Sequence, residues 1–163
     1  FGGIYAAGTF GMDERSVLLF GIALNVSAGI GAAAFAWIDD RIGSKHTIVL
    51  SLIGLIVPAS LLLVVRSTLW FWVLGTLLGV FVGPAQAAAR SYLGRVAPEH
   101  LRGEMFGLFA FSGKATAFVG PLLVGWVTAL FDSQRAGMSV IIVFLGIGLA
   151  LMLGVPAVRP RRT

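Results

Sequence analysis

Five stretches of about twenty residues, 17–38, 47–65, 69–89, 106–130 and 138–158, run almost without charge, and they limit the possible folds more than any motif does. A hydrocarbon core about 30 Å thick takes roughly 20 apolar residues of α-helix to cross. In lipid, backbone N–H and C=O groups must be satisfied by the segment itself, so each stretch is predicted to be a helix. Composition agrees: 58% of the 163 residues are apolar and 12% charged, where an ordinary soluble domain carries about a quarter charged residues. The expected fold class is all-α, a polytopic transmembrane helix bundle forming one domain over 1–163, with the lipid bilayer as its first partner.

Ahead of the first span, "FGGIYAAGTFGMDER" is too short to cross and has no basic flank before an apolar core, so it does not read as a signal peptide. Residues 1–12 are expected to be the end of a preceding helix. Five crossings put the segments 39–46, 90–105 and 159–163 on one side of the membrane. That side carries Arg41, Lys45, Arg90, Arg95, Arg102, Arg159, Arg161 and Arg162, against Arg15, Arg66 and Arg135 on the other. The bias of basic residues predicts that 39–46 and the tail 159–163 are cytoplasmic, in an integral, multi-pass protein of the plasma membrane.

Several function classes drop out. There is no cysteine, and His46 and His100 fall in predicted loops without a second histidine at ligand spacing, so neither a metal site nor a cofactor is expected. No Ser/His/Asp set, phosphate-binding glycine loop or pair of carboxylates inside a span supports an enzyme. The net charge of +5 sits on arginines at the ends of apolar spans rather than on one exposed face, which argues against a nucleic-acid partner.

Helices in lipid approach closely through small residues at helical spacing. Gly75, Gly79 and Gly83 recur every four residues in the third span, with Gln86 and Arg90 continuing the stripe; Gly107, Ala110, Lys114, Ala117, Pro121 and Gly125 share one face of the fourth. Pro58, Pro84 and Pro121 fall inside spans. Lys114 stands out, since a charged group at depth costs several kcal/mol unless it faces a cavity or partner. It either faces a substrate pathway or snorkels back along its helix to the interface. Gln86 and Arg90, one turn apart, can together hold a carboxylate, although Arg90 also sits where arginine anchors a helix at the membrane boundary. Asn25 is a further candidate for the pathway; with Ser27 it is also read as an interhelical hydrogen-bonding residue.

The turn "AWIDDRIGSKH" resembles the cytoplasmic loop signature of the major facilitator superfamily, G-x-x-x-D-R-x-G-R-R/K, with Asp40, Arg41, Gly43 and Lys45 matching and Ala36 and Ser44 departing. The stretches "GPAQAAARS" and "FSGKATAFVGP" are similar to the vacuole-effluxer, autophagy-related amino-acid exporter branch and its bacterial relatives. That resemblance implies the C-terminal six-helix half of a twelve-helix fold, with five full spans and the end of one, completed by an N-terminal half. It implies release of amino acids or other small-molecule substrates by alternating access. Asp40, Arg41, Gly43 and Lys45 would act as a gating loop, with Glu99 and Glu104 as candidate partners for Arg41. The alternative is a non-transporting membrane subunit whose helices only bind partners.

Overall fold

The computed structural model describes residues 12–156. The expected end of a preceding helix (1–12, apart from Met12) and the tail 159–163 lie outside the described residues. Five α-helices follow one another: α1 (Glu14–Ile42), α2 (Ser44–Val64), α3 (Thr68–Val96), α4 (Arg102–Phe131) and α5 (Gln134–Gly154). A 3-10 turn, Glu99–Leu101, precedes α4. All five are long and apolar enough to cross a membrane, and the described residues contain no strand.

The helices overrun the apolar windows because hydrogen bonding along the backbone continues where burial in lipid stops. α1 carries on through Asp39, Asp40 and Arg41, and α3 through Arg90 to Val96. What stops them is local chemistry. Ala97 and Val155 each precede a proline and turn extended, at ψ 123° and 141°, because the proline ring disfavours a helical residue before it. α5 therefore ends four residues short of the expected 158. At the other ends Asp13 caps α1 by accepting from the Ser16 amide, and Ser133 caps α5 by accepting from Ala136. Pro58, Pro84 and Pro121 lie inside α2, α3 and α4 as expected.

α3 is the hub. It packs against α1 on one side and α2 on another; α2 in turn packs on α5 and α5 on α4, while α3 and α4 barely meet. The α1–α3 contact is built on glycine. Phe20 lies over Gly75, Ser27 and Leu24 against Gly79, Ala28 against Gly83, and Val80 against Gly31; a Cβ at any of these four glycines would overlap its neighbour. Near that contact Phe20, Leu62, Phe71 and Leu74 form the main apolar core, with the Phe20 and Phe71 rings 4.8 Å apart.

α4 is different. Val124 is its only buried residue, and no atom lies within 4 Å of where a Cβ would stand on Gly107 or Gly125. Among the described residues the expected stripe of small residues on this helix is therefore unpacked, apart from the closely set α4–α5 crossing where Gly137 meets Thr128 and Val124. Asn25 and Ser27 also differ from the interhelical expectation: Asn25 donates to Gly21 O at 2.8 Å and Ser27 to Ala23 O at 2.8 Å. Short polar side chains in a helix reach the carbonyl one turn back more easily than a neighbouring helix.

Candidate functional site

Two features remain once packing is accounted for: an open cleft between α3 and α4, and a polar network where α1 turns into α2.

The cleft exists because α1 crosses α3 obliquely. At about 100° per residue, Gln86 and Arg90 point the same way as Gly75 and Gly79. Over the length of α3, however, α1 moves from Gly75 and Gly79 round to Ser91 and Arg95, which Asp39 contacts. Gln86 and Arg90 are left exposed. Across the gap, α4 brings Lys114. Arg90 and Lys114 line one cleft of about 370 Å3 with Phe106, Phe109, Ala110 and Gly113. Gln86 is not among the lining residues, and Asn25 is exposed on α1 with its amide held by its own helix. The structure thus joins two of the four pathway candidates and leaves the other two apart. Neither Arg90 nor Lys114 takes part in an ion pair among the described residues, where the only two are Arg95–Asp39 and Arg95–Asp40.

The turn is shorter than expected. Asp40 and Arg41 belong to the last turn of α1 and Lys45 to the first turn of α2, so a single residue, Gly43, joins the helices. Its φ of 88° and ψ of 153° fall in a region open essentially to glycine alone. His46, expected in a loop, is in the first turn of α2 with Nδ1 2.8 Å from Ile42 O. No group of histidines and carboxylates able to hold a metal occurs among the described residues.

The polar contacts run through Asp39, which sequence reasoning passed over. Its Oδ2 accepts from Ser91 Oγ at 2.9 Å and from Arg95 Nη2 at 3.2 Å. Ser44 Oγ donates to Ser91 Oγ at 3.2 Å, bringing the start of α2 into the same set. Asp40 is mostly exposed, 3.8 Å from Arg95. Arg41 does not pair with Glu99 or Glu104; its guanidinium lies 3.6 Å from the centroid of Trp37, one turn back on the same helix. Lys45 Nζ donates to Leu153 O at 3.2 Å and to Val155 O, and Tyr92 Oη donates to Pro156 O at 2.9 Å, so the end of α5 is tied in as well. The set is incompletely satisfied. Asp39 Oδ1 and Arg95 Nη1 are buried with no protein partner.

The family model described as "Vacuole effluxer Atg22 like" matches residues 2–163. The chain belongs to this Atg22-like family. Among its relatives, the MFS-type transporter YxiO of Bacillus subtilis is 24% identical over 90% of this chain and 34% of its own length. Autophagy-related protein 22 of Cryptococcus neoformans is 24% identical over 98% of this chain and 31% of its own. The gentisate transporter of Corynebacterium glutamicum is 30% identical over 74% and 27%. This Atg22-like chain thus spans about a third of the length of the relatives it matches. No solved structure matches it.

Proposed function

We propose that this chain is the C-terminal portion of a secondary transporter of the major facilitator type, which moves a small organic solute across the membrane by alternating access. The carrying observation is the α3–α4 cleft, which brings together Arg90 and Lys114, two cations from different helices that form no ion pair among the described residues. Membership in the Atg22-like family supports transport, and amino acids are the solute implied by the resemblance of "GPAQAAARS" and "FSGKATAFVGP" to the amino-acid exporter branch. The gentisate transporter among the relatives favours a second reading in which the solute is an organic acid such as gentisate.

The network at the α1–α2 turn serves as the gate. Asp40, Arg41, Gly43 and Lys45 surround a one-residue turn pinned to α3 through Asp39 and Arg95 and to α5 through Lys45. A rocking half must break and remake contacts at its helix ends, and a partly exposed ion pair joining two helices is suited to that. The bias of basic residues supports a cytoplasmic location for this end. The remaining crossings come from the portion of the transporter that lies outside this chain.

Efflux of labelled leucine and gentisate from proteoliposomes of the complete transporter tests the reading. Saturable flux of either is expected, with Lys114→Gln abolishing it at normal expression. Unaltered flux in Lys114→Gln would assign Lys114 to snorkelling, and absence of saturable flux for any organic solute would contradict transport.

A further inference from the structure

We propose that the α3–α4 cleft binds a carboxylate, and that the transported solute is recognised by a carboxylate with an apolar or aromatic body beside it; this rests on the transport reading and narrows it. Arg90 comes from α3 and Lys114 from α4, so two helices that barely touch each contribute one cation to a common space. About 370 Å3 lies within the range of small-molecule sites. No acid lines the cleft; α3 contains none, and the only one on α4, Glu104, lies at its start, well away from Lys114. No carboxylate among the described residues pairs with either cation, and an anion seated between them gains from both.

The donor chemistry narrows the anion. Arg90 offers a planar fork that matches the two oxygens of a carboxylate, and Lys114 a second, movable ammonium from the opposite wall. The other walls are apolar: Phe106 and Phe109 give aromatic surface, and Gly113 leaves room beside Lys114. A carboxylate held between the cations places its organic body against these rings. An amine or an amide lacking the carboxylate gains nothing from either cation and meets like charge when protonated. An anionic lipid headgroup would satisfy the same two cations, and the test separates it from a free solute.

The test uses the complete transporter in phosphatidylcholine nanodiscs, with binding followed by thermal shift and calorimetry. The probes are 3-phenylpropanoate, L-phenylalanine and L-phenylalaninamide. The two carboxylates are expected to bind and stabilise and the amide to do neither. Arg90→Gln and Lys114→Gln each weaken carboxylate binding by about tenfold or more, the loss expected from one charge-assisted hydrogen bond. Arg90→Lys, which keeps the charge and loses the fork, gives intermediate affinity and serves if Arg90→Gln misfolds. Equal binding of amide and acid, or unchanged affinity in the Arg90 and Lys114 variants, overturns the proposal. So does stabilisation by phosphatidylglycerol, lost in the same variants, without binding of the acids. Binding without flux would keep this site and sink the transport reading; flux of the amide at the rate of the acid would do the reverse.

Discussion

Asp39 shows how much depends on single residues at the end of this bundle. Its carboxylate is the acceptor shared by Ser91 and Arg95, and its side chain is 12% exposed against 27% for Arg95. Asp39→Asn keeps shape and removes charge, and is expected to destabilise the bundle by about 1–3 kcal/mol by leaving Arg95 only the exposed Asp40, 3.8 Å away, as counter-ion. The check is a double-mutant cycle with Arg95→Gln in the thermal stability of the purified protein. Additive effects would mean the pair is not coupled. Asp13 allows a test against pH. Its hydrogen bond with Ser16 holds its carboxyl below the usual aspartate range. A depressed folded-state value means the cap contributes above the unfolded value and is lost as pH falls through the folded one. Protection of the Ser16 amide, the intrinsic rate divided by the observed one, should therefore fall on acidification into and below the ordinary carboxylate range, and should be insensitive to pH in Asp13→Asn.

At the scale of elements, the glycines divide into two classes that the sequence presents alike. Those on α3 are in contact with α1, so Gly79→Leu is expected to cost about 1–3 kcal/mol or more by overpacking. Gly43→Ala is expected to cost about 1–3 kcal/mol through its backbone conformation and to loosen the α1–α2 turn. Thermal melts followed by circular dichroism check both, with Gly21→Ala, which faces open space, as the control expected to change little. The five helices and the α3 stripe were legible because apolar length and small-residue spacing are local properties of the chain. The shared angular position of Gln86 and Arg90 was legible too, but it did not reveal that α1 swings away from them, since crossing angles are set by packing between helices. Asp39 escaped notice because it lies just past the apolar window and its partners are about 52 and 56 residues along the chain. The pairing expected between Arg41 and Glu99 or Glu104 failed for a similar reason: a nearby aromatic ring on the same helix competes with charges that only tertiary structure could bring close.

For the whole molecule, orientation and movement can both be read by thiol labelling. The chain has no cysteine of its own, so single thiols placed at Arg41 and at Arg135 in the complete transporter, stripped of other thiols, report sidedness. A membrane-impermeant maleimide is expected to reach the Arg135 site on intact cells and the Arg41 site only after lysis; the reverse pattern would invert the topology. The central claim, that the Arg90–Lys114 cleft is the moving site of an alternating-access transporter, is tested most directly by a thiol at Ala110 on the cleft wall. Its labelling rate by the impermeant reagent is measured from each side of the membrane, with and without transported solute. Labelling is expected from either side, with solute raising the rate on one side while lowering it on the other. Labelling confined to a single side, and unmoved by solute under all conditions, would contradict the account.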